Sequence, residues 1–206
     1  MIMDLVLNTK TGLEKFKPNR KQVIILLLIM TILSAVMVYL TLSSSTNQIV
    51  EQLQNNMKTS VNKATIQSFV TIISVATGVV FPVLTIAFNA LLFFLATKFF
   101  SINLKYKTLF SLFTYLYPLT LISNIINFIL KYFFDISNNV RITSLNGFFY
   151  LDGKLGILLN SIDIFQIWSL IIVYFALIKL GGMEKSSSFT IIFTYFLIVS
   201  VTSILF

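Results

Sequence analysis

The side chains of this chain that could do chemistry are few, and none is histidine or cysteine. Without cysteine there is no disulfide, thiolate metal site or sulfur nucleophile. Without histidine the commonest acid–base group and metal ligand are missing. Three asparagines inside apolar segments remain, Asn89, Asn124 and Asn127, together with one carboxylate, Asp163, at the edge of another. Asn124 and Asn127 are spaced i, i+3 and share a helix face. They could line a polar path or meet a partner span. Equally, they could bond between helices of one bundle, worth about 0.6–2 kcal/mol each in a membrane. An ionisable residue at membrane depth points to function, but here Asp163, Lys98 and Lys179 all fall within about a turn of an interface. Asp163 then suits a helix N-terminus and needs no further role. Aspartyl proteolysis and ion-coupled transport, which use carboxylates in the bilayer, are not expected. The chain is expected to be no enzyme and to need no metal or cofactor.

The elements that must position these groups are membrane helices. Of 206 residues 57% are apolar and 11% charged, against about a quarter charged in soluble domains. The mean hydropathy is +0.92. A chain this short cannot cover so much Ile, Leu, Phe and Val with polar surface, whereas lipid accepts it. The runs are too long for barrel strands and do not alternate. The expected fold is all-α, a single polytopic bundle of about five spans at 22–42, 69–97, 108–134, 162–180 and 188–206.

Residues 1–21 form a basic stub, in which Thr11 and Glu14 fit a capping box and Pro18 ends the turn. Leu13 and Phe16 could lay that stub on the bilayer surface. The segment 43–68 reads as a polar loop holding an amphipathic helix, because Ile49, Leu53, Met57 and Val61 recur every four residues. Its stripe could meet the membrane, a partner or its own bundle. In the second span Ser74 and Gly78 form a small-xxx-small pair that admits another helix closely, and Pro82 is a place to bend. Pro118 interrupts the third span. The segment 135–161 is a second polar loop with glycine turn signals. Trp168 is expected to pack, and Tyr132 and Tyr150 to sit at an interface.

The net charge of +8 does not indicate nucleic acid, because the Lys and Arg flank apolar runs. Ten of them lie on the side of the N-terminus and five on the other. That bias predicts a cytoplasmic N-terminus, an outward C-terminus and two outward loops.

Several segments together resemble the Yip family, the Ypt/Rab-interacting membrane proteins and their bacterial relatives. They are the stub VLNTKTGLEKFKP, the polar stretch NQIVEQLQNNM, the pattern YLYPL with Tyr115, Tyr117 and Pro118, and SIDIFQIW with Asp163, Phe165 and Trp168. The Asp-Leu-x-Gly-Pro element of eukaryotic members is absent. The resemblance implies five spans, a non-catalytic role and a bacterial plasma membrane. Some bacterial relatives work beside MacB-type ABC exporters or in protection against antimicrobial peptides. The leading expectation is therefore an accessory protein, surrounded by lipid, that packs on other membrane subunits such as an exporter, or on itself, through Ser74, Gly78, Pro82 and Pro118. An oligomeric pore or uncoupled permease lined by Asn89, Asn124 and Asn127 is one alternative, and a stand-alone bacteriocin immunity protein another.

Overall fold

The computed structural model describes residues 9–14, 16–57, 63–134, 136 and 139–205. Among them the architecture is all-helical: α1 (Thr9–Glu14), α2 (Arg20–Met57), α3 (Lys63–Phe99), α4 (Tyr106–Phe134), α5 (Asn146–Phe149), α6 (Gly153–Asn160), α7 (Ile164–Gly181) and α8 (Lys185–Leu205). Five stretches are long and apolar enough to cross a membrane: Arg20–Thr41, Gln67–Phe99, Tyr106–Phe134, Ile164–Gly181 and Lys185–Ile204. Helices satisfy their own backbone polar groups, which lipid cannot do.

Short polar signals set the ends. Asn19 accepts the Lys21 N–H at 3.0 Å through its side chain and opens α2 after Pro18. Gly182 takes a left-handed φ of 66° and ends α7, with the Met183 N–H returning to the Leu177 carbonyl at 3.2 Å.

α2, α3 and α4 pack together, and α4, α7 and α8 complete the bundle. Its core joins Phe93 and Ala90 of α3, Leu109 and Leu112 of α4, and Ile172, Val173 and Leu177 of α7. Several expectations are corrected here. Leu13 and Phe16 are buried in this core and do not lie on the bilayer surface. Phe16 meets the Tyr115 ring edge-on at 5.7 Å, and α1 packs on α7, where Lys179 approaches Glu14 at 3.3 Å. A short apolar stub loses more water-exposed area inside a bundle than on its surface. α1 is already helical at Thr9, so Thr11 lies inside it and not at its cap.

The stretch 43–57 is no loop. It continues α2 without a break, so Ile49, Leu53 and Met57 are on the first spanning helix. The surroundings of their side chains, and Val61 altogether, lie outside the described residues. Pro82 and Pro118 both sit inside unbroken helices, so Pro118 does not interrupt its span. Each costs one backbone hydrogen bond, which neighbouring helices make tolerable in a membrane.

The close approach at Ser74 and Gly78 is filled by the chain's own α2. A Cβ on Gly78 would stand 2.7 Å from the Ala35 Cα. Ser34, Thr31 and Ser74 are buried alongside. Thr31 and Ser74 return their hydroxyl hydrogens to carbonyls of their own helices, so neither donates across this seam. Gly78→Leu is expected to destabilise the protein by about 1–3 kcal/mol, the usual cost of overpacking. Ala76→Leu, at an exposed position of the same helix, should leave thermal unfolding in mild detergent unchanged. Equal melting of the two variants would refute this packing.

Candidate functional site

α7 is shorter than α4. Its N-cap, Asp163, stands beside Ser123, eleven residues or about 16 Å back from the C-terminal end of α4. The chain between α4 and α7 fills that difference in height by folding down along α4. Non-helical backbone at such depth must find partners inside the protein, and the sequence supplies them as asparagines.

Asn127 on α4 receives the Ile142 N–H at 2.6 Å and the Thr143 N–H at 3.3 Å on its Oδ1. Its amide donates to the Ser123 carbonyl at 2.8 Å and to Thr143 Oγ1 at 2.6 Å. Asn160 accepts the Arg141 N–H at 2.9 Å. Asn146, fully buried, donates to the Leu151 carbonyl and accepts the Leu151 N–H. Gly147 and Gly156 allow the tight crossings, since a Cβ on either would meet a backbone oxygen at 2.3 Å or 2.0 Å. Backbone bonds from Leu145 to Ile162 and from Ile164 to Thr143 tie the two ends of the segment together. Ser161 donates to Ser200 at 3.0 Å and fastens it to α8.

Asp163 is the hub. Its Oδ1 accepts the N–H groups of Phe165 at 2.9 Å and Gln166 at 3.3 Å and so caps α7. Its Oδ2 accepts from Ser123 at 2.9 Å, from Thr143 and from Arg141 Nη2 at 3.4 Å. Arg141 Nη2 also reaches Ser123 Oγ at 3.1 Å and Asn124 Oδ1 at 3.4 Å. The Asp163 side chain is 4% exposed and that of Arg141 40%. The carboxylate is thus saturated as an acceptor, while the guanidinium keeps an open side. Its Nε is buried with no partner among the described residues.

Below this network lies a cavity of about 250 Å³. Thr85 and Asn89 of α3, Phe113 to Ser123 of α4, Phe165 to Val173 of α7 and Tyr195 of α8 form its walls, with Arg141 and Asp163 at one end. Ser123 and Phe113 are ten residues apart, and so are Asp163 and Val173. The groove therefore runs about 15 Å along the bundle. Its inner end is closed by Tyr195, whose hydroxyl donates to Asn89 Oδ1 at 2.9 Å and whose ring lies tilted against Phe93 with centroids 4.9 Å apart. Thr85 and Thr120 line it and are exposed, so they mark its mouth.

The three asparagines therefore do not line a common path. Asn89 faces the groove, whereas Asn124 and Asn127 turn to Arg141 and to the backbone at 142–143. Of the aromatic and proline pattern, Tyr117, Phe165 and Asp163 come together on the groove. Tyr115 and Trp168 pack at the core and Pro118 is half-buried. Arg141, Ser123, Thr143, Asn146 and Asn160 were not singled out from sequence. The available signal was that Arg141 is one of two arginines among fifteen cations, and Arg, with its fork of donors, is the cation for fixed polar contacts.

Removing the hub strands its donors. Asp163→Ala should lower stability by about 3–5 kcal/mol, because it removes the cap of α7 and leaves Ser123, Thr143 and Arg141 without their acceptor. Asp163→Asn still caps α7 but loses the ionic acceptor, and should cost about 1–3 kcal/mol. Ser123→Ala should cost about 1 kcal/mol. Chemical unfolding in micelles reads this order, and three variants within 0.5 kcal/mol of wild type would contradict it.

Comparison with known families matches the Yip1 domain to residues 3–206. Among characterised proteins the chain is similar to "Membrane protein YknW" of Bacillus subtilis (strain 168), with 32% identity over 82 residues. That match covers 40% of this chain and spans only 36% of the relative. No solved structure matches. The five apolar helices and a family match over nearly the whole sequence lead to one conclusion: this integral membrane protein belongs to the Yip1 domain family.

Proposed function

We propose that this protein is a non-catalytic accessory subunit of the bacterial plasma membrane that packs on another membrane complex. A MacB-type ABC exporter acting in antimicrobial-peptide resistance is the partner that its resemblance to bacterial Yip proteins suggests.

The observation that supports assembly is the length of α3. Its apolar span Gln67–Phe99 has 33 residues, or about 50 Å, against a hydrocarbon core of about 30 Å. Lying wholly within the bilayer would take a tilt above about 50°, beyond the usual range of about 0–40°. α4 has a smaller excess, and the segment 139–163 covers one side of it at Ser123 and Asn127, while Tyr132, Phe133 and Phe134 at its very end stay exposed. At the start of α3 the described residues leave an apolar ridge open. Phe69, Ile72 and Ile73 are 65%, 67% and 50% exposed. An apolar ridge that outruns the bilayer needs protein cover, because water there is unfavourable to it. α2 runs alongside to Met57, about 24 Å past the end of its own span, and gives the pair a helical arm beyond the membrane.

The Arg141–Asp163 pair fits this non-catalytic reading, since its bonds hold α4, α7 and the intervening segment together. The expected orientation, with the N-terminus cytoplasmic, would place the arm on the outer face.

The test is a mild-detergent pull-down of tagged protein from its native membrane, with copurifying chains identified by mass spectrometry. The expected result is near-stoichiometric recovery of exporter subunits, lost in Phe69→Ser/Ile72→Ser while the variant still purifies folded. Recovery of the protein alone, or a double variant that retains every partner, would sink the proposal.

A further inference from the structure

We infer that the groove beneath Arg141 is a binding site for a single phospholipid, with the phosphodiester at the guanidinium and an acyl chain running inward along α4 and α7. The inference rests on the groove and is independent of the arm on α3.

The groove is graded along its length. At the outer end Arg141 offers charge. Its Nη2 is shared among Ser123, Asn124 and Asp163, its Nε has no partner among the described residues, and its side chain is 40% exposed. Asp163 offsets only part of that charge, because four further donors, from Ser123, Thr143, Phe165 and Gln166, also draw on its oxygens. The contact falls on the exposed part of the guanidinium, since the Nε itself is enclosed by protein. A phosphate oxygen meets the geometry of Arg well.

Toward the inner end the walls become Leu116, Leu170, Phe113 and Val173, and the groove ends on the Tyr195–Asn89 bond. The distance between the two ends, about 15 Å, is that of a headgroup and the upper part of one chain. A volume of about 250 Å³ admits one chain segment and not a second helix. The mouth at Thr85 and Thr120 lies on spans α3 and α4, so the ligand enters sideways from the bilayer. A free anion such as inorganic phosphate would use the same guanidinium but leave the apolar length empty.

Native mass spectrometry of protein taken from nanodiscs of phosphatidylglycerol and phosphatidylcholine tests this. The wild type is expected to retain one phosphatidylglycerol per chain. Arg141→Gln should weaken retention about tenfold, the loss of one charge-assisted contact. Thr120→Phe should fill the mouth and weaken it comparably. Thr120 is exposed and makes no bond in the Asp163 network, so this variant separates occupancy from folding if Arg141→Gln unfolds. Millimolar inorganic phosphate should not displace the lipid. Equal retention by wild type and Thr120→Phe, or full displacement by inorganic phosphate, would overturn the assignment.

Discussion

A stretch of backbone that leaves helical geometry beside a membrane span must find a partner for every N–H and C=O it exposes. That constraint shapes this molecule around one carboxylate. Asp163 caps α7 with one oxygen and gathers Ser123, Thr143 and Arg141 with the other. It therefore fixes the level at which α7 starts, the path of the descending segment and the direction of the only arginine near the groove among the described residues. Asn127 performs the matching task from α4, by reading two successive amides of the segment with a single side-chain oxygen. Neither residue lies in the apolar core, yet the helices of that core take their relative heights from this polar knot.

The same bundle contains two helices longer than the bilayer, and it treats them differently. α4 is covered on one side, around Ser123 and Asn127, by its own chain, in which buried asparagines and close-set glycines take the place of water, while Tyr132 to Phe134 stay exposed. α3 is covered by α2 along the seam where Gly78 meets Ala35 and by α4 around Ala90 and Phe93. Its other side keeps Phe69 and Ile72 exposed.

The spans were legible because about twenty apolar residues in a row have no other stable setting than lipid. The family was legible from YLYPL and SIDIFQIW, and the match over residues 3–206 agrees with it. Other features were hidden for physical reasons. Ser74 and Gly78 announce that a helix comes close, but periodicity does not name the helix, and α2 takes the place a partner could have taken. Leu13 and Phe16 would look the same in a surface helix as in a core; only the bundle decides. The polar composition of 43–57 suggested a break, whereas Gln, Asn and Ser are tolerated in a helix that runs beside another. Arg141 looked like one more topology charge, because nothing in its neighbours reveals that a fold in the chain carries it 22 residues forward to Asp163.

The central claim is that the segment between α4 and α7 is part of the membrane bundle and not an open loop. Hydrogen exchange of the Ile142, Thr143 and Leu145 amides, in protein reconstituted into bilayers, tests it most directly. These amides bond to Asn127 and to the Ile162 carbonyl. The account predicts protection close to that of amides in the middle of α4. Exchange within seconds, as from a solvated surface loop, would contradict it.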